Sequence, residues 1–185
     1  MFDRRHSQTI GSRPALRQAG GGGFSIVELL IIVVVIALIA TILLPMYLNS
    51  LQVSKQKRTM SDMTQVGTAL MSWVSDQVGA AAAGVTTGDV DMSDYGSALD
   101  QETLETMLVP QYLQSLPQYD AWGSTMEYRV NVGNLAADEL MAIRSPGGDR
   151  AFSGDTYTAG AFDPRSYNED LVWVDGIFVR WPQKE

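Results

Sequence analysis

The sequence predicts an α+β protein. A long N-terminal helix, transmembrane in its first part and amphipathic in its second, packs on a head built on a small antiparallel β-sheet. Three observations predict this. Residues 29–46 read LLIIVVVIALIATILLPM, a run without charge and with one hydroxyl, Thr41. Beyond Tyr47, apolar residues recur at steps of three and four, as at Met63, Val66, Leu70 and Trp73, which marks one face of a helix. Near the C-terminus, Leu171–Val174 and Ile177–Arg180 flank Asp175-Gly176, the dipeptide that favours a tight hairpin turn.

The apolar run is long enough to span a membrane. Phe24 to Leu44 is 21 residues, about 31 Å of helix at about 1.5 Å per residue, close to the ~30 Å of a bilayer core. Its β-branched stretch Ile31–Ile36 does not argue for a strand, because a lone strand leaves its backbone unsatisfied in lipid. A cleaved secretory signal is the rival reading. Such signals have a shorter core followed by a small-residue cleavage site, whereas here Pro45, Met46 and Tyr47 lead into more helix. Pro45 lacks an N–H, so a kink or local melting is expected there. The helix is expected to continue to about Val78, a total of about 80 Å.

Charge is divided unevenly. Residues 1–23 carry Arg4, Arg5, Arg13 and Arg17 against Asp3, while residues 24–185 carry 9 basic and 20 acidic residues. A basic start predicts an N-terminus that stays cytoplasmic while the bulk crosses. The acidic remainder argues against general nucleic-acid binding, which needs a basic footprint. Lys55, Lys57 and Arg58 form one small basic patch, readable as a solvated helix face or as a contact for phosphate or lipid headgroups. There is no cysteine, so neither a disulfide nor a thiolate metal site can form. The one histidine is His6, and any metal should be a hard cation held by oxygens.

Glu28 stands at the mouth of the apolar run. A carboxylate near hydrocarbon is costly and calls for a partner, unless it stays among headgroups at the interface. Just before it lie Gly20-Gly21-Gly22-Gly23, a run that a helix does not hold well, and then Phe24-Ser25-Ile26-Val27-Glu28. This junction closely resembles the processing site of type IV prepilins and type II secretion pseudopilins. The resemblance implies that a membrane prepilin peptidase cuts after Gly23 on the cytoplasmic side and methylates the new N-terminus at Phe24. It also implies that Glu28 is the family's assembly glutamate and Pro45 its helix proline. The leader is longer than those common in the family.

The physics agrees with that implication. Cutting creates an α-amine at Phe24, largely cationic at neutral pH with an ordinary pKa near 8. Glu28 of one copy can then pair with the Phe24 amine of a neighbour, which offsets much of the cost of placing both in an apolar bundle. The expected organisation is a cleaved cytoplasmic leader (1–23), a transmembrane and filament-core helix (24–45), an amphipathic helix on the head (46–78) and a globular head (79–185).

Within the head, Gly79–Gly96 reads as a loop. Ser97 and Asp100 form a capping pair ahead of a short helix through Leu104, Met107 and Leu108, which Pro110 stops. Strands are expected at Thr125–Val132 and Glu139–Arg144 in addition to the hairpin. Leu116-Pro117, Asp120-Ala-Trp-Gly123 and Tyr128 resemble the pattern of the major pseudopilins, and Ser145-Pro-Gly-Gly-Asp149 resembles the start of their calcium loop. The ending around Asp175–Trp181 differs from the shorter tails of typical members. Between Ser145 and Asp170 the acidic residues are either a solvated loop or, as the resemblance implies, a calcium site. Asp149 and Asp170 are the preferred side-chain ligands, with Asp163 and Glu169 as further candidates, and a cation would close a stretch that no disulfide can close.

The reading that combines these features is a structural subunit of a type II secretion pseudopilus. It would polymerise through its N-terminal helix from the bacterial inner membrane, with a periplasmic head. Its implied partners are other copies of itself, prepilin peptidase, minor pseudopilins, the inner-membrane assembly platform with its ATPase, and membrane lipid before assembly. A type IV pilin in adhesion, motility or DNA uptake is the alternative. An anchored enzyme is disfavoured: past the leader there is no His or Cys, and Ser153 and Ser166 lack a suitable base. A monomeric anchored binding module would leave Glu28 without a subunit partner.

Overall fold

The computed structural model describes residues 23–78 and 88–184. The expected leader, apart from Gly23, and most of the expected 79–96 loop lie outside the described residues. The chain divides into two compact units, one ending at Ile42 and the other beginning at Leu43. A single helix, α1 (Ile26–Val78), supplies the described helical residues of the first and opens the second.

In the first unit, α1 buries nothing. Its most apolar window has a mean hydropathy of 3.2, and none of that window is buried within the chain. This is the one described helix long and apolar enough to cross a membrane. The melting expected at Pro45 is not seen, because helix is unbroken through that residue. A proline removes one backbone hydrogen bond, and the turns on either side need not open for that loss alone.

In the second unit, α1 becomes one-sided. Thr59, Met63, Val66, Leu70 and Val74 are buried, at steps of four, three, four and four, so they share one face. That face covers a six-stranded sheet. In chain order the strands are β1 (Asp89–Asp91), β2 (Ala98–Leu99), β3 (Glu127–Val130), β4 (Met141–Ser145), β5 (Thr156–Thr158), β6 (Gly160–Phe162), β7 (Leu171–Val174) and β8 (Ile177–Pro182). The large sheet has the order β2-β3-β4-β7-β8-β6, and β1 pairs with β5 in a separate ribbon. The sheet is mixed rather than antiparallel throughout, because β6 runs parallel to β8. Ser145–Asp170, expected to be largely irregular, therefore contains two strands.

Two local expectations need correction. The loop expected over 79–96 ends in β1 and a 3-10 turn, Met92–Tyr95. Helix α2 (Gln101–Leu108) is capped by Asp100 itself, whose carboxylate accepts from the Thr103 N–H at 2.8 Å, while Ser97 lies before β2. Asp100 is a better cap than Ser97 here because β2 occupies the two residues between them. The hairpin is as read: Asp175 (φ 45) and Gly176 (φ 102) both lie in the left-handed region that a two-residue primed turn requires.

Both faces of the sheet are covered, which explains why all four residues of β7 are buried. Leu171 and Trp173 face the α1 and α2 core with Met141, Ile143 and Tyr128. Val172, Val174 and Ala142 face the other way, against Val90, Met92, Tyr95 and Tyr157. On that second face Arg144 is buried and anchors an ion network. Its guanidinium donates to Glu127 at 3.0 Å and approaches Asp155 at 3.0 Å, and it lies over the Phe152 ring. Burial works against the Glu127 charge, but Arg144 and Arg129 outweigh it and hold its carboxyl below the ordinary range.

Helix and sheet meet most closely at Gly67. A β-carbon there would lie 2.4–2.8 Å from three atoms of the six-membered ring of Trp173, well inside van der Waals contact. Replacing a helical glycine by alanine gains about 1 kcal/mol of propensity, but forcing a core apart costs about 1–3 kcal/mol. The second effect should win. Gly67→Ala is expected to lower the melting temperature, with a net loss of up to about 2 kcal/mol on these figures. Thermal denaturation of the detergent-solubilised chain checks it, and an unchanged or raised melting point would contradict the close approach.

Candidate processing, docking and acidic-loop sites

Gly23, Phe24 and Ser25 precede the helix. Phe24 is 76% exposed, and no atom lies within 4 Å of where a Gly23 side chain would begin. Ser25 and Glu28 form a capping box. The Glu28 carboxylate accepts from the Ser25 N–H at 2.9 Å, and the Ser25 hydroxyl accepts from the Val27 N–H at 3.3 Å. These bonds satisfy two of the donors that a helix start leaves open. The Ser-x-x-Glu spacing was readable in the sequence, where Glu28 alone drew attention. One carboxylate oxygen makes the cap, so the other is not needed for it. Pro45 lies far along the same helix, 17 residues after Glu28.

The Leu-Pro and Asp-x-Trp-Gly elements form one docking device. Asp120 folds its own turn: one oxygen accepts from the Trp122 N–H at 2.9 Å and the Ser124 N–H at 2.8 Å, and the other accepts from the Ser145 hydroxyl at 2.7 Å. The turn is tied to α1 at two points. Trp122 donates its indole N–H to Gln52 at 2.8 Å, and the Ala121 N–H donates to the Thr59 hydroxyl at 3.0 Å. Tyr128 donates to the Pro117 carbonyl at 2.8 Å, which holds the preceding loop against β3. Gln52 and Thr59 were not singled out in the sequence. A polar residue on an otherwise apolar helix face is the signal that could have found Thr59.

The four acidic residues considered for calcium are not held alike. Asp170 is buried; one oxygen accepts from the Ser153 N–H at 2.9 Å and the Tyr157 hydroxyl at 2.7 Å, while Oδ1 is buried with no hydrogen-bond partner among the described residues. Burial pushes its carboxyl up; the Tyr157 and Ser153 bonds oppose that shift and the nearby Asp149 charge adds to it. Asp149 lies at the end of the 3-10 turn Gly147–Asp149 and accepts from the Ala151 N–H at 3.1 Å. Gly147 (φ 69) brings that turn against the carbonyls of Tyr167 and Glu169, where a side chain would collide. Asp163 accepts from the Arg165 N–H at 2.8 Å, and Glu169 is paired with Arg180. Among the described residues, no three His, Cys, Asp or Glu side chains form a group that could hold a metal ion.

Comparisons with known protein families, with curated proteins and with solved structures found no match to this chain.

A further buried carboxylate, Asp175, sits at the hairpin turn. Its Oδ1 accepts from the Leu140 N–H at 3.2 Å and the Met141 N–H at 2.9 Å, which joins the turn to the start of β4. Burial pushes its carboxyl up to about 6, against the opposing effect of those backbone bonds. A raised folded value means that the folded state holds this proton more tightly than the unfolded state. The stabilisation is therefore complete below about pH 4 and is lost as pH rises through about 6. Asp175→Asn keeps the acceptor and suits the left-handed backbone. At pH 7.5 it is expected to be more stable than the natural chain by on the order of 1–3 kcal/mol, converging with it below about pH 4. Urea unfolding across that pH range checks this, and a variant less stable at every pH would refute it.

Proposed function

We propose that the chain is a filament subunit of the type IV pilin-like class, most like the major pseudopilin of type II secretion. It is made as a precursor, cut after Gly23, and anchored in the bacterial inner membrane through Phe24–Leu44 until it joins the filament. The observation that carries this reading is the first half of α1. Its most apolar window is covered by nothing among the described residues, yet it is led by the non-helical Gly23–Phe24 junction and a single acid, Glu28. Lipid can cover such a surface, and so can copies of the same helix. Only the second arrangement gives Glu28 a cationic partner, the Phe24 amine that cutting creates. Prepilin peptidase, minor pseudopilins, an inner-membrane platform and its ATPase follow as partners of that reading. A chain of this kind supplies structure and register rather than catalysis.

The same reading includes a calcium ion at the acidic loops. The donor set fits a hard cation in part: the partnerless Asp170 Oδ1 and the Asp149 carboxylate are available, with carbonyls of the adjoining turn to complete an oxygen shell. Glu169 is held by Arg180, while Asp163, like Asp149, accepts one backbone N–H and stays a further candidate. The ion's contribution is to neutralise two neighbouring carboxylates and tie Ser145–Asp149 to Asp170 in a chain without disulfides.

Two measurements test the proposal. Intact mass and N-terminal analysis of membrane-extracted protein should show a chain starting at Phe24 with one added methyl group; a start at Met1, or a cut beyond Leu44, would remove the assignment. The melting temperature should be higher with calcium than with a chelator, and Asp170→Asn should abolish the difference. Equal melting in both conditions would remove the ion while leaving the filament reading standing.

A further inference from the structure

A groove of about 600 Å³ lies between α1 and the C-terminal strand, floored by Val53, Met60, Trp181 and Pro182. Lys57 and Lys184 also line it, and both are exposed. Their position stands out against the rest of the charge. Past the leader there are 9 basic residues against 20 acidic ones. Arg129 and Arg144 are committed to Glu127, Arg180 to Glu169, and Arg58 lies 3.8 Å from Asp62. Lys57 and Lys184 have no ion pair among the described residues. Five of the nine, Lys55, Lys57, Arg150, Arg165 and Lys184, have no ion pair among the described residues, and two of these five share one apolar groove. The amide oxygen of Gln56, buried and without a hydrogen-bond partner, belongs to the same wall.

A complementary surface exists elsewhere on the same head. On α2, Leu104 and Leu108 face the core, which turns Glu102 and Glu105 outward three residues apart on one face. Neither forms a salt bridge among the described residues. Copies of so acidic a chain repel one another wherever acid meets acid, so contacts that place acid on base are favoured.

We infer that successive copies join through this pair of surfaces, with the acidic face of α2 in one copy seated in the Lys57 and Lys184 groove of the next. The inference rests on the filament reading and deepens it. The two patches differ, so the contact is head-to-tail and propagates instead of closing into a dimer. Exposed ion pairs are each worth little. Their task here is to select partner and register, while the apolar floor supplies buried area. Contact made in this way weakens with salt.

The full-length chain in membranes tests it, with filaments measured by sedimentation after detergent extraction. Lys57→Glu with Lys184→Glu should cut sedimenting filament by about tenfold or more, while the melting temperature stays close to that of the natural chain. Adding Glu102→Lys and Glu105→Lys to the same chain should restore it. Because there is no native cysteine, Lys184→Cys and Glu102→Cys placed together should give an oxidation-dependent ladder, and neither alone should. Reversal without effect, or without rescue by the compensating pair, would overturn the inference. Filaments that persist while binding to phosphatidylglycerol vesicles is lost would overturn it too, by making the groove a lipid site. If the natural chain forms no multimer of any kind, the failure belongs to the filament reading.

Discussion

The rest of the molecule depends on one mismatch within a single helix. From Phe24 to about Leu51 its large apolar side chains are exposed among the described residues, and from Thr59 to Val74 one face is fully covered. Apolar surface exposed to water costs about 25 cal/mol per Å², so the first stretch demands a solvent or partner that the second does not. The two stretches follow different sequence rules: unbroken apolar character in one, a one-sided stripe in the other. The same backbone geometry therefore serves two environments.

The head is built to receive the striped stretch. Its sheet is buried on both sides, so β7 reads Leu-Val-Trp-Val without alternation, with the helices on one side and the β1–β5 ribbon on the other. The Asp120 turn attaches the sheet side to α1 through Gln52 and Thr59 with backbone and side-chain donors. On the opposite side, burial and charge compete directly at Arg144. It is retained there by Glu127, Asp155 and the Tyr157 hydroxyl, so its charge is met on several sides.

Much of this was legible in the sequence. The long helix, its end near Val78, the strands around Tyr128 and Ile143 and the Asp175-Gly176 hairpin follow from period and turn chemistry. The misses have physical causes. β6 contributes three residues and pairs in parallel with a strand distant in sequence, so no local pattern announces it. Asp100 outcompeted Ser97 as a cap because β2 needs the intervening residues. The capping role of Ser25 was hidden behind the functional interest of Glu28. In the acidic loops, charge counting could not tell that Glu169 belongs to Arg180 while Asp170 keeps a buried oxygen without a partner. That distinction depends on which strands lie side by side.

The close seat of Trp173 on Gly67 has a mechanical consequence. Gly67 has Val66 before it and Thr68 after, and it alone of these lacks a side chain. Sliding the head along α1 by one residue would drive the indole into Val66 or Thr68. The sheet is thus keyed to one notch on the rod.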